Sequence, residues 1–99
     1  MNIIKSQENG KLAIALEGRL DTTTAPQLEA ILAPAFDEAG EILLDFAKLE
    51  YVSSAGLRVL LIGQKTAKAK GASMTVSNVS EEIMEVLDMT GFTDMLTIV

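Results

Sequence analysis

Hydrophobic and polar residues change period several times along the chain, and each period predicts one kind of element. Two β-prone runs, Ile3–Ser6 and Leu12–Leu16, flank Asn9-Gly10, and Asn-Gly is the strongest short signal for a β-hairpin. Asp21–Pro26 then predicts a helix start, because capping hydroxyls precede a proline in the first turn. Apolar residues follow at helical spacing until Gly40, namely Leu28, Ile31, Leu32, Ala35 and Phe36. The first half of the chain therefore predicts a hairpin followed by a helix.

Strands and helices alternate in the second half. A buried strand over Ile42–Phe46 leads through a short linker to a helix that begins near Ser53-Ser54. Another strand, a helix opened by Ser80 and ended by Gly91, and a last short strand at Met95–Val99 complete the pattern. Right-handed crossovers between parallel strands place helices against a sheet. We predict one α/β domain over residues 1–99, with a mixed sheet, an N-terminal hairpin and helices packed on the sheet.

Composition restricts the compartment and the partner. The chain has 99 residues, which suit a single modest core, and no run approaches the roughly 18 apolar residues of a membrane span. No secretory signal is visible, and the absence of cysteine fits a cytoplasmic protein. The net charge of -6 argues against nucleic acid as a partner, since phosphate backbones bind basic surfaces. We expect a protein partner with a basic docking surface, and no membrane.

Residues that are missing exclude several kinds of catalysis. Without histidine the chain lacks the usual general base, so a Ser-His-Asp triad cannot form. No lysine follows Ser53 or Ser54 at Ser-x-x-Lys spacing, and no glycine-rich phosphate loop precedes a lysine. Zinc is disfavoured without cysteine or histidine. We expect neither an enzyme nor a bound metal or cofactor.

The two serines before Ala55 form the most informative junction in the chain. A serine at a helix start can cap the helix, because its hydroxyl accepts a hydrogen bond from a free backbone N–H group. It can equally carry a phosphate, because those N–H groups and the helix dipole favour an anion there. The residues alone leave open whether Ser54 is a cap or a modified residue.

A helical projection of Ala55–Lys70 separates two faces. The projection predicts a core stripe that comprises Val59, Ile62, Gly63, Thr66 and Ala67. Arg58 lies on the opposite, polar side, and so do Leu57 and Leu61. Either a neighbouring helix covers these two leucines, or they form an exposed apolar pair that docks a partner. Both interpretations are compatible with the pattern.

Three segments carry a family resemblance: GRLDTTTAPQLE, ILLDFAKLEYVSSAGLRVLL and VSEEIMEVLDMTGFTDML. They resemble the STAS domain, specifically the bacterial anti-sigma factor antagonists, and they cover nearly the whole chain in the same order. The resemblance implies a phosphoprotein switch. In this family a serine kinase, which is also the anti-sigma factor, phosphorylates a serine at the start of the second helix. The unmodified protein binds this kinase, phosphorylation abolishes binding, and a serine phosphatase resets the cycle.

The resemblance also implies site residues. The phosphorylated serine maps to Ser54, two residues before Gly56, and Ser53 stands where well-known members have aspartate. The partner-binding or site-adjacent positions are then Asp21, Ser53, Gly56, Leu57, Arg58 and Leu61.

Asp21 allows two roles, and the whole chain allows a second function. Asp21 either orients the serine hydroxyl and repels a second negative charge, or satisfies backbone N–H groups before the first helix. As an alternative to the switch, some STAS domains are thought to sense a ligand, which here would be a nucleotide or a small anion bound at the helix start.

Overall fold

The computed structural model describes residues 1–99 as five strands, three α-helices and one 3-10 turn. No helix has both the length and the apolar character that crossing a bilayer demands. In chain order the elements are β1 (Asn2–Glu8), β2 (Lys11–Leu20), α1 (Ala25–Glu38), β3 (Glu41–Val52), α2 (Ser54–Ala69), β4 (Ser73–Ser77), α3 (Glu81–Thr90), the 3-10 turn (Phe92–Asp94) and β5 (Thr97–Ile98).

The five strands form one mixed sheet in the order β1-β2-β3-β4-β5. β1 pairs antiparallel with β2, and the remaining neighbours are parallel. Asn9 and Gly10 both have positive φ, 50° and 80°, as a two-residue hairpin turn of this kind demands. The structure confirms the predicted α/β fold, its hairpin and its mixed sheet.

One face of the sheet carries the core. Alternate residues of the central strands are buried there, and the helices contribute Leu28, Leu60 and Leu87 to the same cluster. The strand residues of this core are Leu12, Ile14, Leu16 and Leu20 of β2, Ile42, Leu44, Phe46, Leu49 and Val52 of β3, and Met74 and Val76 of β4. The helices are therefore packed on the sheet, as predicted.

β3 is longer than the sequence pattern indicates, and the predicted linker does not exist. The strand runs from Glu41 to Val52, so it continues directly to the serine junction. Its second half pairs with β2 across two register shifts, which lie between Ala15 and Glu17 and between Gly18 and Arg19. Such irregularities break the period of two, and the burial of β3 changes from every second to every third residue after Phe46. Because the residues after Phe46 lack the period of two that marks a strand, the sequence pattern predicts a linker there. The backbone nevertheless continues as a strand.

α2 is rotated relative to the predicted orientation. Leu57 is only 6% exposed and belongs to the core, so the prediction that it lies on a partner surface is wrong. Ile62, predicted as core, is 36% exposed, and Leu61 is half-buried. The helix packs against α1 as well as against β3 and β4, so its buried arc is wider than a single stripe. The buried residues are Gly56, Leu57, Val59, Leu60, Gly63 and Ala67.

Candidate functional site

The serine junction is fixed to the ends of two strands. The Ser53 N–H donates to the Leu20 carbonyl at 2.9 Å, which ties the start of α2 to the last residue of β2. Gly56 lies so close to this strand that a Cβ atom there would be 2.7 Å from Leu20 Cγ and 2.9 Å from Leu20 O. Glycine is thus the residue that allows α2 to begin against β2. The backbone geometry of the junction is set by these contacts.

The structure separates the roles of the two serines. Ser53 is the N-cap residue of α2, with extended backbone, and its Oγ accepts from the Gly56 N–H at 3.4 Å. Ser54 is the first residue of the helix and is exposed, and its hydroxyl makes no hydrogen bond within the chain. The capping role therefore belongs to Ser53, and the hydroxyl of Ser54 is free for chemistry.

We expect substitutions of the two serines to differ in their effect on stability. Ser53→Ala removes the cap and should lower the free energy of unfolding by about 0.5 to 1 kcal/mol, at the low end for a cap because the hydrogen bond is long. Ser54→Ala should stay within about 0.5 kcal/mol of the wild type. Urea denaturation of both variants tests this, and an equal loss in the two would mean that Ser54 also caps the helix.

Asp21 organises the turn before α1. Its Oδ1 accepts from the Thr23 hydroxyl at 2.8 Å, from the Thr23 N–H at 3.0 Å and from the Thr24 N–H at 3.2 Å. The Thr23 hydroxyl and these N–H groups hold the pKa of Asp21 below its ordinary value. Asp21 makes no hydrogen bond to Ser54, so its contacts are those of a residue that satisfies backbone N–H groups.

Arg19 and Tyr51 form a pair that the sequence reasoning missed. They are register partners at the ends of β2 and β3, and the guanidinium carbon lies 4.2 Å from the centre of the Tyr51 ring. Arg19 Nε also lies 3.7 Å from Asp21 Oδ2. Only the shifted register brings Arg19 and Tyr51 together, so no local sequence signal could have revealed the contact. This pair borders the serine junction on the β2 side.

The exposed side of α2 brings other candidates together. At about 100° per residue, Ser54, Arg58, Leu61 and Lys65 lie within roughly 60° of one another. We call these four residues the α2 outer face. Leu61 is half-buried there, while the other three residues are exposed and none forms an ion pair. Arg58 and Leu61 thus share the outer side of α2 with Ser54, whereas Leu57 is buried in the core.

Asp45 lies far from the junction, although the shorter predicted strand would place it nearby. It lies seven positions before Val52 in β3, which corresponds to roughly 20 Å of strand. Its Oδ1 accepts from the Ala47 N–H and from Asn78 Nδ2, both at 2.9 Å. Of the two aspartates, Asp21 is therefore the one near the Ser54 end of the sheet.

The larger cavities of the molecule lie away from the serine junction. Three cavities, of about 500, 310 and 230 Å³, lie on the open face of the sheet and between α1 and α2. None of the three is lined by Ser53 or Ser54. The chain also holds no group of three or more carboxylates arranged to bind a metal ion. The junction is thus an exposed surface outside these cavities, which suits contact with another protein.

The fold and this junction can be compared with known proteins. A profile of the family described as Mlab, STAS domain matches residues 4–98. The chain belongs to the STAS domain family. Within it, the anti-sigma factor antagonist BtrV of Bordetella bronchiseptica, so named provisionally, is 32% identical over 93 residues, covering 93% of this chain and 80% of BtrV.

Other relatives point to the same branch of STAS proteins. The anti-sigma-B factor antagonist of Bacillus subtilis is 26% identical over 98 residues, or 99% of this chain and 90% of that protein. The solved structure of the anti-sigma factor antagonist SpoIIAA, unphosphorylated, superimposes with a TM-score of 0.80 at 19% identity, covering 99% of this chain and 87% of SpoIIAA. SpoIIAA from Bacillus in its phosphorylated form gives 0.77 at 19% identity, with 99% and 91% covered. The STAS chain described here is of the anti-sigma factor antagonist type.

Proposed function

We propose that this STAS protein is a phosphoprotein switch: unmodified, it binds a serine kinase that is also an anti-sigma factor, and phosphorylation of Ser54 releases it. A serine phosphatase restores the binding form. The protein acts in the cytoplasm as a single regulatory domain over residues 1–99, and not as an enzyme. The observation that carries the proposal is the free, exposed Ser54 hydroxyl at the first residue of α2, beside a neighbouring serine that already caps the helix.

The position of Ser54 suits modification without unfolding. A phosphate at a helix start lies near free N–H groups and the positive end of the helix dipole, so the folded state tolerates its charge. SpoIIAA has been solved in both forms, and the chain superimposes on both to a similar extent. This supports a switch that changes the binding surface and leaves the fold intact.

Mass spectrometry of the protein purified from its own cells tests the modification. We expect phosphate on Ser54 and none on Ser53, because the Ser53 hydroxyl is engaged at the cap. Peptide fragmentation distinguishes the two adjacent sites, and a Ser54→Ala strain provides the matched control. Phosphate on Ser53, or its persistence in the Ser54→Ala strain, would contradict the assignment.

Saturable binding of a nucleotide to the isolated domain would favour the ligand-sensing alternative. The three cavities do not support this alternative, because none of them is lined by Ser53 or Ser54.

Leu61 provides a test of the docking surface. We expect Leu61→Lys to weaken binding of the kinase by about tenfold or more, because the apolar contact of Leu61 is lost and a charged group has to lose water in its place. The unfolding free energy should fall by only about 1 kcal/mol, since the side chain is half-buried and a lysine stem keeps part of the contact. Titration calorimetry and urea denaturation measure the two effects.

Ile4→Lys is the matched control for Leu61→Lys. Ile4 is an exposed apolar residue on β1, 52% accessible, and it lies on the sheet away from α2. Its substitution should leave kinase binding unchanged. Equal weakening by both variants would show that the α2 outer face is not the specific docking surface.

A further inference from the structure

Arg58 lacks an acidic neighbour on its own helix. Residues three and four positions away on a helix are the ones that meet, and for Arg58 these are Ser54, Ala55, Leu61 and Ile62, all neutral. The guanidinium is exposed and forms no ion pair in the structure. The second arginine of the chain, Arg19, is engaged by Asp21 and Tyr51. Arg58 is thus a free cation one turn from Ser54.

α2 has a local charge opposite to that of the whole chain. Its 16 residues include Arg58, Lys65 and Lys68 but no aspartate or glutamate, although the chain has a net charge of -6. The expectation that the partner has a basic docking surface rested on the net charge of the whole chain. A partner that binds at α2 meets the local charge of this helix instead, which is positive. Charge complementarity favours a carboxylate-bearing surface opposite the α2 outer face.

Resting on the proposed modification of Ser54, we propose that the phosphate captures Arg58 in an ion pair within α2. An anion four residues before a cation is the favourable orientation for a helical pair. Phosphate oxygens accept charge-assisted hydrogen bonds from a guanidinium, which can donate two of them in parallel. Phosphorylation of Ser54 therefore places a phosphate one turn from Arg58, and arginine is the side chain that best matches the geometry of a phosphate.

The capture gives one modification two effects on the binding surface. In the unmodified protein Arg58 is free to donate to a carboxylate of the partner. After phosphorylation the guanidinium is held by the phosphate, so the partner carboxylate loses a donor and also meets added negative charge. Arg58 is then the residue through which the phosphate on Ser54 reshapes the α2 outer face.

NMR spectroscopy of the side chain tests the capture directly. Phosphoserine is introduced at position 54 by genetic encoding, so the test needs neither the kinase nor the proposed function. The chain has two arginines, and Arg58→Gln removes one of the two Nε–Hε signals and so assigns them. We expect the Arg58 signal to shift and to exchange more slowly with water in the phosphoprotein. The Arg19 signal, already engaged, should change little.

Thermal unfolding provides the second measurement. Phosphoserine should raise the melting temperature of the wild type by about 1 to 4 °C more than that of Arg58→Gln, the size expected of a helical ion pair in a small domain. Lys65→Gln, on the same face but eleven residues from Ser54, should respond like the wild type. An unchanged Arg58 signal together with equal shifts in wild type and Arg58→Gln would overturn the capture, while leaving Ser54 as the modified residue.

Discussion

Gly56→Ala should lower the free energy of unfolding by about 3 kcal/mol, because the junction has no room for a methyl group. The added Cβ atom would lie 2.7 Å from Leu20 Cγ and 2.9 Å from Val52 Cγ2. It would also lie 2.9 Å from the Leu20 carbonyl oxygen, which cannot move freely because it accepts from the Ser53 N–H. Circular dichroism should show the melting temperature fall by roughly 10 to 20 °C.

Gly40→Ala is the matched control for this substitution. A Cβ atom at Gly40 would have no neighbouring atom within 4 Å, and the residue has no positive φ. Alanine there should change stability by less than about 1 kcal/mol, and the reduced freedom of the unfolded chain acts in the stabilising direction. If Gly56→Ala and Gly40→Ala melted at the same temperature, the close approach of α2 to β2 would not be a constraint on the fold.

Phosphorylation of Ser54 should reduce affinity for the cognate kinase by about a hundredfold or more. The phosphate adds about -1.5 to -2 charges to the α2 outer face. In the complex this charge would have to lose water against the partner, and an unpaired buried charge costs several kcal/mol. Each 1.4 kcal/mol, roughly, is a tenfold change in affinity. The effect therefore arises at the interface, even where Arg58 offsets part of the charge.

Three forms of the protein separate this mechanism from its alternatives. Unmodified protein and Ser54→Ala should bind the kinase equally well, and the phosphoprotein should bind far more weakly. Thermal melts of all three should show cooperative unfolding of a folded domain. Equal binding by the phosphoprotein and Ser54→Ala would mean that the phosphate has no effect on recognition. Loss of the cooperative melt on phosphorylation would mean that the switch acts by unfolding.

Local signals predict the parts of the fold that depend on neighbouring residues. Asn9-Gly10 has the two positive φ angles of a hairpin turn, and Ser80 accepts from the Ile83 N–H at the start of α3. Gly91, with φ of 81°, ends that helix in the left-handed conformation. Each of these features is determined within a few residues of sequence, which is why the pattern identifies them.

Contacts between distant residues account for the features that the sequence pattern misses. The second half of β3 is a strand because it pairs with β2 through a shifted register, for which the run from Ala47 to Val52 has no period-two signal. The orientation of α2 depends on its packing against α1 as well as against the sheet, and Ile62 lies at the cavity between the two helices, where it stays 36% exposed. The helix start at Ser53-Ser54 is predictable because it lies at a strand-to-helix boundary. Its surroundings, such as Arg19 on Tyr51, require the tertiary structure.

The order of the strands in the sheet also bears on how the protein forms during synthesis. Each strand lies beside the one made just before it, so every new element meets a surface that already exists. Contacts between elements close in sequence form quickly, and synthesis supplies these elements in order from the N-terminus. All the residues that fix the serine junction, from Leu20 to Gly56, precede α3 and β5. The strands and the helix start that fix the serine junction are therefore all synthesised before the last third of the chain.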